Sequence, residues 1–482
     1  MMRRLLPLAP LALLGACSVG PDFTAPAPPP PQAGYGADGV GRAALAEGPE
    51  TGWWKSFNSA ELDGLVDRAI AHNHSLAASK ATLQSAREQI AAVAGRRLPQ
   101  IDANARAEYQ QVNLSAFGLS ERLGSSGIGN PEFDLYTVGG GVSYDLDLFG
   151  RNRRALEQAV AEAEAQQRQT EAAHLVIAGR VVAQVLAIAA LNDRIATENA
   201  LLTESERNVH LTEARQRAGA GTLVEVLSAQ GQLAEDRTSL PELEQQLAEG
   251  RAMLAVLLGI SPAELGATGY SLNDFALPAQ VPVALPSALV HKRPDILEAE
   301  ARLHSAVAAV GVATADLYPD ITLGATITQS TSEPDRITSS KFNAFDIFAG
   351  LTAPIFHGGT LKAQKRGAEA QAHASAATYQ QVVLEAFGQV SGLLSALATD
   401  GKSLSAQQQA VQIAERSLYL SRRSFQVGNS GILQVLDASR SYQRAQLALL
   451  EAKTRQYQNV ARLYVATAGG WIDDRDADAP QS

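Results

Sequence analysis

Val138-Gly-Gly-Gly-Val-Ser-Tyr-Asp-Leu-Asp-Leu-Phe-Gly-Arg-Asn-Arg-Arg154 decides the fold of this chain. From Tyr136 the residues alternate: Tyr136, Val138, Val142, Tyr144, Leu146 and Leu148 fall on one side, and Thr137, Gly139, Gly141, Ser143, Asp145 and Asp147 on the other. A period of two with one apolar and one polar face is a strand, here with carboxylates on its polar side. Phe149-Gly150-Arg151 breaks the alternation, and a long Ala/Glu/Gln/Arg segment with helical composition begins at Asn152. An echo comes later: Phe345 to Phe356 alternates, Gly358-Gly359-Thr360 breaks it, and a second long helical segment begins.

Upstream, Asn58 with Glu61 reads as a capping box, opening a helix with Leu62, Leu65, Val66, Ala69 and Ile70 on one face. A second helix is predicted from Ser75 to Gly95, stopped before Pro99. Ile101, Ala103, Ala105, Ala107 and Tyr109 then alternate with Asp102, Asn104, Arg106, Glu108 and Gln110, the pattern of a membrane β-strand with a small apolar outer face and a charged inner one. The helix from Asn152 to Arg217 spans roughly 100 Å at ~1.5 Å per residue, far beyond an ordinary globular helix. It turns at Gly219-Ala220-Gly221-Thr222 and returns from Leu223 to Leu258, with an irregularity expected at Pro241.

The plan then repeats. At an offset of 220, Leu98-Pro99 matches Tyr318-Pro319, and Leu83, Ser85 and Ala86 match Leu303, Ser305 and Ala306. At 209, Gly219 matches Gly428 and Val226-Leu227 matches Val435-Leu436, so the second hairpin loop is the shorter. Residues 1–16 form a signal peptide and 17–50 a Pro-rich tether that buries little. Repeat 1, 51–260, carries strands 101–110 and 133–148 and a hairpin 152–258. A connector, 261–286, leads to repeat 2, 287–470, with strands 321–328 and 345–356 and a hairpin 360–467. Residues 471–482 form an acidic tail expected to be disordered. Four strands cannot close a membrane barrel, whose smallest examples have about eight, and an open edge in lipid is forbidden. The chain must therefore oligomerise. The long helices, lying outside the membrane, form either a hollow tube or a solid stalk. Broad Ala-rich faces without a Leu/Ile heptad seam favour the tube.

Composition bounds the partners. The formal charge of −10 argues against nucleic acid, which requires clustered Lys and Arg. Cys17 is the only cysteine, which excludes an intrachain disulfide or a cysteine-based metal cluster. Arg3-Arg4, the apolar run Leu5 to Leu14 and Leu14-Gly15-Ala16-Cys17 form a signal peptide too short to span a bilayer. Its end resembles the bacterial lipobox, which makes Cys17 the lipidated mature N-terminus, bearing diacylglycerol and an N-acyl chain. Ser18 at the next position resembles the outer-membrane sorting pattern. The most apolar later stretch, Leu175 to Leu191, carries Arg180 and Gln184, so membrane contact is assigned to strands.

Tyr144-Asp-Leu-Asp-Leu-Phe-Gly-Arg151 resembles the strand-to-helix motif of the TolC-like outer-membrane factors, in particular the lipoprotein branch serving resistance–nodulation–division pumps. Trp53-Trp54 with Phe57, His291-Lys-Arg-Pro-Asp295, Tyr318-Pro319 and Val427-Gly428 with Val435-Leu-Asp-Ala438 agree, over residues 50 to 470. The resemblance implies a mixed α/β membrane protein: a trimer with two tandem repeats per chain, whose twelve-stranded β-barrel, four strands per subunit, continues into a long periplasmic α-helical barrel. It implies a passive outer-membrane exit duct of a Gram-negative tripartite efflux pump, with a periplasmic adaptor, an inner-membrane transporter and outer-membrane lipid as partners. Adaptor docking is expected at the tips Gly219, Ala220, Gly221, Thr222 and Gly428, Asn429, Ser430, Gly431. Leu433 and Asp437, four apart on one helix face, match the apolar and acidic gating rings of such ducts. The bland alternative packs Leu433 between helices and leaves Asp437 solvated. Asp102, Asn104, Arg106, Asp145 and Asp147 are expected to line the barrel lumen.

No enzyme chemistry is legible. Gly34-Tyr-Gly36-Ala-Asp-Gly39 fits a dinucleotide-loop pattern but has neither the strand nor the helix that pattern requires. His72 and His74 are two apart, the wrong spacing for one helix face, and His357 reads as a barrel-base residue. No cofactor or metal is expected. Two other functions stay open: the channel of a type I protein secretion system, which shares the fold, and a non-conducting outer-membrane scaffold lipoprotein.

Overall fold

The computed structural model describes residues 18–27, 35, 43–46, 49, 52–113, 131–284, 286–339, 341 and 343–467. Cys17, the hairpin residues 114–130 and the tail from 468 lie outside the described residues. In chain order the elements are β1 (Ala43–Ala46), α1 (Ala60–His72), α2 (His74–Gly95), β2 (Gln100–Gln111), β3 (Glu132–Asp145), α3 (Arg151–Arg217) and α4 (Leu223–Leu257). They continue with β4 (Val281–Ala284), α5 (Pro286–Lys292), α6 (Pro294–Ala315), β5 (Asp320–Thr331), β6 (Asn343–Thr352), α7 (Thr360–Gln426) and α8 (Ile432–Thr467). The repeat shows in the helix lengths: α3 and α7 have 67 residues each, α2 and α6 have 22 each, and α4 and α8 have 35 and 36. The chain forms two compact units, one of Met1–Ala25, Gln84–Glu164 and Ala301–Ala377, the other of Pro26–Leu83, Ala165–Glu300 and Thr378–Ser482.

The first unit is built on one antiparallel sheet in the order β2-β3-β5-β6, so the two repeats meet where β3 pairs with β5. Strand ends differ from the sequence reading. β3 stops at Asp145 rather than 148, because Asp147 adopts φ +46° and leaves the ladder. β6 stops at Thr352, just before Ala353-Pro354, since proline cannot donate to a ladder. β5 runs to Thr331, three residues further than expected.

The second unit holds the main core. A 3₁₀ turn, Trp53–Phe57, buries Trp53, Trp54 and Phe57 against Tyr464 of α8, with Trp53 stacked on Tyr464 at 5.2 Å. Ala178, Val181, Val182, Val185, Leu186 and Ile188 of α3 are fully buried in this core. Both α3 and α7 contain a stretch long and apolar enough to cross a membrane. These core contacts account for the stretch in α3, and Tyr379, Ala386, Val390, Leu394 and Leu397 bring α7 into the same core.

Three local readings are corrected. The cap of α1 is Ser59, whose hydroxyl accepts from Leu62 N–H, while Asn58 sits left-handed at the end of the 3₁₀ turn. Asn73 opens α2: its side-chain Oδ1 accepts from Ser75 and Leu76 N–H, and its side-chain Nδ2 donates to Leu257 O at 2.9 Å. α4 runs through Pro241 as one helix, with Leu233, Leu243 and Leu254 buried along it. The tether is also more engaged than expected. β1 pairs in parallel with β4, Tyr35 donates to Ala284 O, and Val19 N–H donates to Phe149 O.

Candidate functional site

Alternation along the strands produces two chemically distinct sheet faces. The pairings Ala105↔Val138, Val142↔Ala325 and Ala325↔Ile347 carry one apolar face across all four strands. Ile101 and Ile347 are each 81 % exposed on it, a face that water would reject and lipid would accept. The other face carries the row Asp102↔Gly141↔Thr326↔Asp346, with Asn104 opposite Gly139 and Arg106 opposite Thr137. Thr137 and Ser330 share a hydroxyl contact at 3.0 Å, Thr322 donates to Asp145 at 3.0 Å, and Thr326 donates to Asp346. Gly139 sits close under this face, where a Cβ would lie 2.8 Å from Ile327 O. Asp102, Asn104, Arg106 and Asp145 thus share one polar face.

Asp147 does not join them, which corrects its placement as a strand residue. Its two carboxylate oxygens accept from Asn152 N–H at 2.9 Å and Arg153 N–H at 3.0 Å, satisfying donors that the start of α3 would otherwise leave orphaned. Around this elbow Phe149 stacks on Tyr318 at 4.6 Å, and Arg151 pairs with Asp316 at 2.6 Å. His357 lines a shallow recess here with Asp147, Phe149 and Tyr318.

The segment after Cys17 is strapped to the same elbow, which the sequence reading missed. Arg154, whose side chain is 6 % exposed, binds Asp22 at 2.6 Å and Glu157 at 2.7 Å and donates to Val19 O and Gly20 O. His304 lies 3.0 Å from Glu157, and its ring stacks on Phe23 at 4.3 Å. Burial disfavours ionisation of Glu157, but hydrogen bonds from Arg154 and His304 outweigh it and hold the carboxyl below its ordinary range. The available signal was Gly311, where Gly20 passes so closely that a Cβ on Gly20 would lie 2.6 Å from the Gly311 Cα. The first repeat has Ala91 at the matching position.

In the second unit both hairpin turns use one device. Gly219 (φ +73°) donates to Gln216 O and Ala220 to Arg215 O; Gly428 (φ +80°) donates to Phe425 O and Asn429 to Ser424 O. These are two Schellman caps, each needing a left-handed residue that glycine supplies without strain. Thr222 and Glu225 then form a capping box for α4. Ala220, Thr222, Gly428, Asn429 and Gly431 are exposed, and Gly221 and Ser430 half-buried. Leu433, 55 % exposed, and Asp437, also exposed, lie on the open side of α8, while Ile432, Val435 and Leu436 are buried. The first repeat places Val224, exposed, and Ser228, half-buried, at the matching positions.

One turn beyond Asp437 lies a buried polar cluster absent from the sequence reading. Arg440 donates to Gln232, Gln232 and Ser205 each donate to Asp236 at 2.6 Å, and Asp236 is buried. Burial pushes the neighbouring Glu198 carboxyl up, against a hydrogen bond with Gln443. The signal was present in α4, where Gln232 and Asp236 interrupt the otherwise apolar stripe Val226, Ala229, Leu233.

An antiparallel sheet with one lipid-compatible face, joined through capped elbows to pairs of very long helices, defines an outer-membrane channel of the TolC-like kind. The outer membrane efflux protein family matches residues 65–260 and 285–469. Over 476 residues, 99 % of this chain and 98 % of the relative, the sequence is 31 % identical to the pyoverdine export outer membrane protein OpmQ of Pseudomonas putida. It is 27 % identical to the probable outer membrane lipoprotein SilC of Salmonella typhimurium, covering 98 % of this chain and 99 % of that one. Among solved structures, the outer-membrane channel OprN superposes with a TM-score of 0.87 at 28 % identity, over 94 % of this chain and all of that one. VceC from Vibrio cholerae gives 0.81 at 27 %, over 88 % of this chain and all of VceC. The chain belongs to the outer membrane efflux protein family. It is an efflux protein of the Gram-negative outer membrane, and its family consists of transport proteins rather than enzymes.

Proposed function

We propose that three copies of this chain close a twelve-stranded barrel continuous with a helical barrel, forming the passive exit duct of a tripartite pump. The observation that carries the reading is the pair of free edges on the sheet: β2 and β6 each pair on one side only among the described residues. Lipid offers no hydrogen bonds to those edges, so closure with further copies is the way to satisfy them. Asp102, Asn104, Arg106 and Asp145 face the lumen in this reading, and the apolar face meets lipid.

Cys17 bears the diacylglyceryl and N-acyl groups, and no other cofactor is required. The tips around Ala220 and Asn429 receive a periplasmic adaptor, which links the duct to an inner-membrane transporter. Leu433 and Asp437 form the resting constriction, and their exposure on the isolated chain supports that role. The cargo is a small molecule handed over by the transporter; relatives bear names for pyoverdine, toluene and cation efflux. Native mass measurement of detergent-purified protein, with planar-bilayer recording, tests the core of this reading. Three chain masses and discrete conductance steps are expected. A stable monomer, or a trimer that never conducts even with Leu433 and Asp437 replaced, would overturn it.

A further inference from the structure

The basic residues of this acidic chain gather where the sheet meets the helices. The four junctions, residues 94–99, 146–154, 314–320 and 353–367, hold eight Lys and Arg against three Asp and no Glu, although the whole chain carries 40 bases and 50 acids. At the far end of the same sheet the balance reverses: residues 106–113, 131–137 and 330–339 hold five acids and two bases. The eight junction bases all lie in the first unit.

Helix physics does not account for their placement. Arg96 and Arg97, just past the C-terminus of α2, suit its dipole. The other six stand at the opposite kind of end. α3 and α7 carry no acid in their first turns and open on Arg151, Arg153 and Arg154 and on Lys362, Lys365 and Arg366, where the positive end of the dipole disfavours a cation. Arg154 is held by the strap and Arg151 by Asp316, while Lys365 has a longer contact with Glu369 at 3.7 Å. Arg96, Arg97, Lys362 and Arg366 are exposed, and among the hydrogen bonds and ion pairs of the described residues their side chains have no partner. Lys362 and Arg366 are four apart, on one side of α7. Directly on the sheet side of these cations the surface turns apolar. The lipid-compatible face ends in Ile101, Tyr144, Leu323 and Leu351, and beside it Ile355 and Phe356 are 90 % and 87 % exposed.

We infer that the junctions form a belt that binds the headgroups of anionic phospholipids in the leaflet on the helix side of the sheet. The inference rests on the reading that the sheet's apolar face meets lipid. An apolar band bordered by unpaired cations matches a bilayer boundary, where polybasic segments attract anionic lipid. Depth agrees: Thr360 to Arg366 spans about 9 Å along α7 at ~1.5 Å per residue, and a headgroup layer is about 5–8 Å deep, within reach of a long side chain that snorkels. A zwitterionic lipid offers the same phosphate with its charge already balanced, so the belt discriminates by net charge.

Native mass measurement of detergent-purified protein, titrated with phosphatidylglycerol or phosphatidylethanolamine of matched acyl chains, tests the belt. Phosphatidylglycerol should bind more tightly, and added salt should narrow the gap. Arg96→Gln with Arg97→Gln, and Lys362→Gln with Arg366→Gln, should each weaken phosphatidylglycerol binding about 25-fold, at roughly fivefold per charge, and leave phosphatidylethanolamine within about twofold. Arg96→Lys with Arg97→Lys should stay near the parent. Removing two exposed bases of the second unit, Lys402→Gln with Arg416→Gln, should change neither lipid. Equal binding of both lipids by the parent, or an equal loss in the second-unit control, would overturn the belt, while retained lipid and single-channel conductance still report a membrane sheet. A protein that retains neither lipid and never conducts would sink the membrane-sheet reading itself.

Discussion

Arg154→Ala should free the strap that begins after Cys17 without unfolding the body of the protein. The guanidinium contacts Asp22, Glu157, Val19 O and Gly20 O, and its stem underlies Gly311, where a Cβ would come within 2.8 Å of it. Asp22 is 89 % exposed and returns to water on truncation, so that pair contributes about 0–1 kcal/mol. Glu157 keeps His304, which limits its loss. The remaining charge-assisted bonds and the lost packing bring the strap's attachment down by about 2–4 kcal/mol. At 1.4 kcal/mol per factor of ten, amide exchange at Val19, whose N–H donates to Phe149 O, should quicken roughly thirtyfold or more. Exchange in the core around Trp54 and Val182 should not change. Acid should mimic the mutation. The folded value of Glu157 lies below its unfolded one, so its contribution is complete above the ordinary glutamate value and fades as pH falls through the depressed value. Strap protection in the parent, corrected for the intrinsic exchange rate, should therefore fall as the pH drops through that depressed value. Hydrogen exchange monitored by mass spectrometry reads both effects, and a strap equally protected in Arg154→Ala and parent would refute the reasoning.

Three further outcomes are expected. Asp147→Ala should lower thermal stability by about 1–3 kcal/mol, through loss of the cap and a left-handed backbone, while Asp147→Asn stays near the parent; equal melting of the two would deny the capping role. Gly324→Ala should cost about 1–3 kcal/mol in assembly, because its Cβ would fall 2.3 Å from the Phe348 ring, and Phe348→Ala in the same chain should restore heat resistance of the oligomer on gels. Leu433→Ala with Asp437→Ala should raise single-channel conductance and weaken cation preference with the oligomer intact; recordings indistinguishable from the parent would place the constriction elsewhere.

Periodic features were legible in the sequence, and roles that depend on a distant partner were not. Alternation over Ile101 to Tyr109 and the matching tips at Gly219 and Gly428 are local signals, repeated twice, and a repeat doubles the weight of each. Strand ends were less legible because β3 continues to alternate in sequence through Leu148 after its backbone has turned away. Asp147 has the right parity for a polar face, yet a left-handed backbone and two nearby amide donors make it a cap instead. The strap was illegible for a different reason. Ser18 to Thr24 is short and proline-bearing, with no periodicity, and its attachment depends on Arg154, more than a hundred residues away, and on a glycine that only repeat 2 possesses. Asp236 escaped likewise, since a buried carboxylate is recognisable only once Ser205 and Gln232 are seen to reach it. The departures from the repeat at Gly311/Ala91, Glu157/Arg366 and Asp437/Ser228 mark where the two copies have taken different tasks. At Gly311 and Glu157 the second partner is the strap or the internal seam. At Arg366 and Asp437 the charge is exposed, and among the hydrogen bonds and ion pairs of the described residues it has no partner, so what sets these two positions apart from Glu157 and Ser228 lies outside the contacts within one chain.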